Sequence, residues 1–244
     1  MPLASVKKAL ERVYSVGFIV DGLAISLGGI LGGIFKSKVN IKNNFPLALA
    51  IMLISAIGLL ENMLSVSDGK IVGENTVIVS IALVVGFLIG EGLKLEDRLH
   101  SLPRSDSLSL NGLIDAIIFF GVGGLQISGP ILYALKGDSF QLMLKGVVDF
   151  PFALMLGATY GKRVSLSSLA VVLIQLIIAG VAYFFMDFLS DSLLSQLCSV
   201  GYLILFFSGF NMICPSASKV KNINIIPAIF LIIIYNIIME AFVK

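Results

Sequence analysis

Lys145 and Asp149, in the stretch LKGVVDFPFALMLG, are two ionisable side chains four residues apart inside an apolar run. A spacing of four places them on one helix face. Putting an ionisable group into hydrocarbon costs at least ~2.5–3.5 kcal/mol even on the lenient insertion scale, so such a pair needs a reason. One reason is a site for an ion or a charged solute. The other is a neutralised salt bridge that merely lets two charges cross. Gly146 lies between them and Pro151 follows; the proline removes a donor, frees the carbonyl of Val147 and can kink the helix.

A second candidate is GVGGLQISGP, residues 121–130. Gly121, Gly123, Gly124, Gly129 and Pro130 interrupt any regular lipid-facing helix. Irregular backbone at membrane depth is tolerated only where it is buried in protein or lines a wet cavity. Freed amides and carbonyls there could hold a solute, with Gln126 and Ser128 alongside; close packing of small residues explains the same stretch without a ligand. Gln175 sits in the middle of another apolar run and either bonds a neighbouring helix or shares the site. Asp21 stands one turn into the first apolar run, near enough to its end to be solvated. The glycines that follow it, Gly28, Gly29, Gly32 and Gly33, form small-xxx-small pairs at 28/32 and 29/33, which predicts helix packing. Glu61, Glu91 and Asp115 fall near the ends of runs, where a solvated or loop-paired carboxylate is ordinary, and Asn211, Asn224 and Pro227 suit capping and turns.

The elements that position these groups follow from composition. Of 244 residues 57% are hydrophobic and 13% charged, with a mean hydropathy of +1.02. Soluble domains carry about 25% charged residues, so a soluble enzyme, a nucleic-acid binder and a disordered chain are excluded. A membrane-spanning helix needs ~20 mostly apolar residues. The chain has room for seven or eight, drawn at 17–35, 46–64, 76–93, 111–135, 140–160, 165–186, 198–213 and 223–242. This predicts an all-α, polytopic integral membrane protein, with 17–244 as a single transmembrane domain and span 111–135 broken or re-entrant. Residues 1–16 place Leu3, Val6, Leu10 and Val13 opposite Lys7, Lys8, Glu11 and Arg12, an interfacial amphipathic leader. The run after it is too long for a signal core and lacks a cleavage site. The longest linker, 94–110, separates three spans from five.

With eight spans, the loops after spans 1, 3, 5 and 7 hold Lys36, Lys38, Lys42, Lys94, Arg98, Arg104, Lys162, Arg163, Lys219 and Lys221. The opposite loops hold only Lys70 and Lys136. Basic residues mark the cytoplasmic side, which places both termini outside, although Lys7, Lys8 and Arg12 argue the other way. KVNIKNNFP at 38–46 and KVKNINIIP at 219–227 share Lys, Val, Asn and Pro at matching offsets. Spans 1–2 are then either a copy of spans 7–8, of the kind transporters are built from, or a case of shared loop chemistry with proline in a first helical turn.

Other chemistry is scarce. Cys198 and Cys214 are too far apart to pair, and His100 is the one histidine. No metal-ligand cluster can be assembled and no cofactor is expected. The Ser/His, Cys/His and His-Glu-x-x-His arrangements and a phosphate-binding Gly-x-x-x-x-Gly-Lys loop are absent, so the chain is not expected to be an enzyme and any work must come from a gradient or a partner.

The ordered set GLAISLGGILGG, Gly90-Glu91 in VVGFLIGEGLKLED, Gly137-Asp138 followed by Lys145 and Asp149, Gly157, Gly161, Gln175, Gly201, Gly209-Phe210-Asn211 and Asn224-Ile225-Ile226-Pro227-Ala228 resembles the YqgA/YdfK-like bacterial inner-membrane proteins, the domain-of-unknown-function family 554. The likeness runs from about residue 17 to 240. It implies a multi-pass inner-membrane protein, the Lys145/Asp149 motif and a role in transport, without naming a substrate. Family members tend to carry Asn where this chain has Asp21, and an acidic residue there would change ion dependence.

Together these features predict a secondary transporter or permease for a small solute, ion-coupled through Asp149. Lys145 would be the counter-charge, Gln126, Ser128 and Gln175 would line the path, and Asp21 would stand nearby. The competing readings are a channel or passive pore, oligomeric through the glycine face of span 1, and a structural or regulatory membrane partner. The lipid bilayer and a small solute or ion are the expected partners, with a homo-oligomer as a further one and nucleic acid excluded.

Overall fold

A long apolar run in a bilayer can satisfy its backbone only as a helix, and the computed structural model has that form. It describes residues 16–36, 45–67, 69–73, 75–101, 106–121, 124–185, 190–214 and 219–243. The helices are α1 Val16–Ile34, α2 Phe45–Met63, α3 Thr76–Leu93, α4 Leu95–His100, α5 Leu108–Gly121, α6 Gly124–Lys136, α7 Phe140–Tyr160, α8 Ser167–Phe184, α9 Asp191–Ile213 and α10 Pro227–Val243. A 3₁₀ turn, Lys162–Leu166, leads into α8 and another, Asn222–Ile225, leads into α10. Counting these turns with their helices, seven helices among the described residues are long and apolar enough to cross a membrane. The fold is an all-α polytopic membrane protein.

The eighth crossing is the interrupted one. Leu108–Gly121 and Leu125–Lys136 pass the same test only as a pair, with their axes bent by 52°. Gly121 ends α5, Gly124 begins α6, and Gly129 and Pro130 lie inside α6; Gly123 lies outside the described residues. Pro151 behaves differently from expectation, because α7 runs as one helix from Phe140 to Tyr160 through it.

The spans expected at 17–35, 46–64, 76–93 and 140–160 correspond to α1, α2, α3 and α7 within a residue. The expected 198–213 is seven residues short at its start. Ser190 caps α9, its side chain accepting from Leu193 N at 3.2 Å, and the helix then buries Leu193, Leu194 and Gln196. A β-hairpin, β1 Ser65–Ser67 with β2 Lys70–Val72, was not expected between α2 and α3. Asp68-Gly69 was its signal, and Gly69 takes φ +72°, a conformation glycine adopts without a Cβ penalty. The leader at 1–15 and the loop at 37–44, which carries most of the KVNIKNNFP match, lie outside the described residues.

The chain forms two compact units by alternating between them. The described residues of 1–43 and 103–186 make one, and those of 44–102 and 187–244 the other. In the first unit α1 lies along α7. Gly17 meets Leu142 and Ser139, Asp21 meets Gly146, and Gly28 meets Phe150 and Ala153, so the two helices run parallel. The 28/32 pair faces α7, while the 29/33 pair faces the turn 162–166, with a Cβ at Gly29 only 2.7 Å from Ser165 N. One residue of offset turns a helix by 100°, so the two glycine pairs serve two neighbours. The glycine face is thus filled inside the unit, and the expected oligomer contact through it loses its surface.

In the second unit α2 packs antiparallel on α9, with Gly58 under the Tyr202 ring and Gly209 against Ala48 O. Gly86 and Gly90 of α3 lie against the backbone of Ala228 and Asn224. A Gly-x-x-x-Gly face whose second glycine rests on a 3₁₀ turn, Gly33 on Lys162 and Gly90 on Asn224, therefore occurs in both units. This recurring motif pairs span 1 with span 3, and differs from the copy of spans 1–2 in spans 7–8.

Candidate functional site

Lys145 and Asp149 are joined on α7 as their spacing predicts, at 4% and 7% exposure. Asp21 does not sit in solvent. It is 0% exposed because α7 has no side chain at Gly146, where a Cβ would stand 3.1 Å from the Asp21 Cα. That close approach brings Asp21 Oδ2 to 2.9 Å from Lys145 Nζ. One ammonium therefore donates to two carboxylates. If all three are ionised the cluster carries one net negative charge, in a place where unpaired charge is costly.

Neutral side chains extend the cluster. Gln175 Nε2 on α8 donates to Asp21 Oδ2 at 2.6 Å and to Gln126 Oε1 on α6 at 3.0 Å. Gln126 Nε2 in turn donates to Val171 O at 3.0 Å. Gln126 and Gln175 are both 0% exposed. A hydrogen-bonded chain thus runs from Val171 through Gln126, Gln175, Asp21 and Lys145 to Asp149, tying α6 to α8, α1 and α7. The Gln175 amide has one orientation open to it, because its nitrogen lies between two acceptors.

Five of the six candidate binding residues thus converge. Ser128, the sixth, donates to Gln141 Oε1 at 2.8 Å and so belongs to a separate α6–α7 contact. Of the hinge candidates, Gly129 lies beside the Leu142 side chain and Gly121 beside Ile174 Cδ1. Gln141, 4% exposed, was not singled out by sequence, although a glutamine in the first turn of an apolar helix was the available signal. Among the described residues no three His, Cys, Asp or Glu side chains are placed to hold a metal ion.

The second unit carries a neutral polar cluster that was also missed. Gln196, 1% exposed, donates to Asn75 Oδ1 at 3.1 Å and Ser192 Oγ at 3.0 Å, and accepts from Asn236 Nδ2 at 2.7 Å. Asn236 inside LIIIYNIIM was its sequence signal. At the other end of this unit the polar residues tie loops, as expected. Asn211 exchanges two 2.8 Å bonds with the Val220 backbone. Asn224 accepts from Glu96 N at 2.9 Å and donates to Glu91 Oε2 at 2.7 Å. Lys221 Nζ reaches Asp97 at 3.1 Å and Glu91 at 3.4 Å.

The hydrogen bond to Asp97, with the one to Glu91 behind it, holds the Lys221 ammonium above the ordinary lysine range, against a smaller opposing effect of desolvation. A raised folded value means that this tie is fully present below the ordinary lysine value and is lost as pH rises through the raised one. We expect Lys221→Met to lower the melting temperature by a small, constant margin from pH 6 to 9. The margin should close only in strongly alkaline buffer; a margin that closes near neutrality would remove Lys221 as its source.

Comparison with known proteins fits this architecture. The family model described as "Protein of unknown function (DUF554)" matches residues 16–237. The chain belongs to the DUF554 family. It is 27% identical over 231 residues to "Uncharacterized membrane protein YdfK" of Bacillus subtilis (strain 168), covering 93% of this chain and 97% of that protein. It is 25% identical over 231 residues to "Uncharacterized protein YqgA" of Escherichia coli (strain K12), covering 88% and 94%. No solved structure matches. In this DUF554 chain the matched region takes in all but the last turns of α10 in the described units, and every residue of the buried cluster.

Proposed function

We propose that the protein is an ion-coupled secondary transporter or permease for a small solute, with the Asp21–Lys145–Asp149 cluster as its coupling site. The observation that carries this reading is two carboxylates on one ammonium, all three side chains buried, linked through Gln175 and Gln126 to α6 of the interrupted α5–α6 pair. A passive structural brace would need one carboxylate for one ammonium. The second leaves a net charge that an ion can neutralise, and binding or losing that ion changes the electrostatics of the cluster (Asp21, Lys145 and Asp149). On the same reading the protein sits in the inner cell membrane, needs no cofactor and is not an enzyme.

The test is flux into proteoliposomes containing purified protein and a trapped pH-sensitive dye, with amino acids, small carboxylates, sugars and inorganic anions offered in turn across an imposed gradient. One class should give saturable, gradient-dependent flux that Asp149→Asn abolishes. If Asp149→Asn leaves uptake and its pH dependence unchanged, the coupling assignment fails. Flux that neither saturates nor needs a gradient would make the protein a passive pore. Full activity after replacing Lys145 and Asp149 together would make the pair structural.

A further inference from the structure

Two buried oxygens in the cluster lack a hydrogen-bond partner: Asp21 Oδ1 and Gln175 Oε1. Both residues are 0% exposed, and an acceptor buried without a donor costs ~1–3 kcal/mol. The two orphans are on the two groups already joined by the 2.6 Å bond from Gln175 Nε2 to Asp21 Oδ2. An amide and a carboxylic acid complement each other in this way: the amide N–H donates to one carboxyl oxygen, and the acid O–H on the other oxygen donates back to the amide carbonyl. In that arrangement a single hydrogen would satisfy both orphans.

We propose that Asp21 and Gln175 form a proton-binding acid–amide pair, in which Asp21 Oδ1 carries the proton and donates it to Gln175 Oε1. One proton from water binds one carboxylate oxygen, and no other bond is made or broken. The charge count agrees. With Asp21 protonated, Lys145 and Asp149 are left as a one-to-one ion pair and the buried cluster is neutral. The ligand class is a proton rather than a metal ion because α1 and α7 meet here backbone to side-chain-free backbone, at Gly146, and a proton needs no room.

The charged and titratable groups facing Asp21 from the elements around it are few. α7 presents Lys145 and Asp149. α8 presents the neutral Gln175. α6 brings Tyr133 against Phe18, with ring centroids 5.3 Å apart. The turn 162–166 carries Lys162 and Arg163; it meets α1 through Ser165 at Gly29 and through Lys162 at Gly33, and Gly33 lies twelve residues and roughly 18 Å along the helix from Asp21. The proposal rests on the transporter reading only in naming the proton as the coupling ion.

Infrared difference spectroscopy of the purified full-length protein tests it without solute or gradient. Wild-type protein at neutral pH should show the carbonyl stretch of one protonated carboxylic acid, moved to lower frequency in D₂O. Asp21→Asn should remove the band while keeping the melting temperature, since an asparagine amide can donate to the same Gln175 oxygen. Gln175→Leu should displace the band, because the carboxyl loses its amide donor, whereas an acid on Asp149 would not respond. The exposed control Asp138→Asn should leave it unchanged. Asp149→Asn should also remove it, because Lys145 then balances an ionised Asp21. A band that survives Asp21→Asn or ignores Gln175→Leu overturns the proposal. Should a variant not fold, wild-type protein without a band at neutral pH overturns it alone. A band without any transport keeps the proton site and removes the transporter reading; transport without the band does the reverse and assigns coupling to another ion.

Discussion

Lys145→Met is expected to be the most damaging single substitution at the cluster, with stability falling by ~3–5 kcal/mol and activity lost. Methionine fills much of the lysine's volume, so the effect is electrostatic. Removing one partner of a buried ion pair strands the other, at a cost of that order. Here the removed partner serves two carboxylates, Asp21 and Asp149, both buried, and they would be left facing each other. Asp21→Asn should behave oppositely, with little effect on melting, because Lys145 keeps Asp149. The triple variant Lys145→Met, Asp21→Asn, Asp149→Asn makes the argument testable. Neutralising the whole cluster should recover most of the lost stability and none of the transport. Melting of detergent-purified variants decides it. A triple variant no more stable than Lys145→Met would mean that packing, not charge, sets the cost, and the cluster would lose its claim to hold charge at all.

The parts of this site visible in the sequence are those governed by solvation. A lysine, an aspartate and a mid-span glutamine stand out in apolar runs because hydrocarbon tolerates them so poorly, and α7 alone fixes the Lys145–Asp149 spacing. What sequence could not give is adjacency between helices far apart in the chain. Asp21 looked solvated because only its distance from the end of its own run could be counted. Its burial depends on α1 lying parallel to α7, which depends on Gly17 and Gly146 being small on the facing sides. Gln126 and Gln175 were each visible as polar residues, but their joining needed α6 and α8 side by side. The start of α9 was obscured for another reason: Asp191, Ser192, Ser195 and Gln196 dilute the apolar run that otherwise marks a span, although Ser190 offered a cap. Likewise the alternation of the chain between two units left no trace in composition, since both units are built from equally apolar helices.

Gly32→Leu should unfold the first unit or cost at least ~3 kcal/mol, and Gly180→Leu should cost almost nothing. Both are glycine-to-leucine changes inside apolar helices, so the difference isolates what each glycine faces. At Gly180 of α8 an added Cβ meets nothing within 4 Å, and a substitution of that kind falls within about ±0.5 kcal/mol. At Gly32 of α1 it would collide with the Leu154 carbonyl oxygen and stand 2.9 Å from Ala158 N. Overpacking usually costs ~1–3 kcal/mol because neighbouring side chains can turn away, but these neighbours are backbone and cannot. α1 would have to move as a rod, and Asp21, eleven residues or roughly 16 Å along it, would leave Lys145. Gly32→Leu should therefore also abolish the Asp21-dependent infrared band, although it touches none of the cluster. Melting temperature and the fraction of monodisperse protein after heating separate the two variants. If Gly32→Leu melts like Gly180→Leu and changes oligomeric state instead, the glycine face of α1 joins separate chains, and the α1–α7 contact that buries Asp21 is not the one the protein uses.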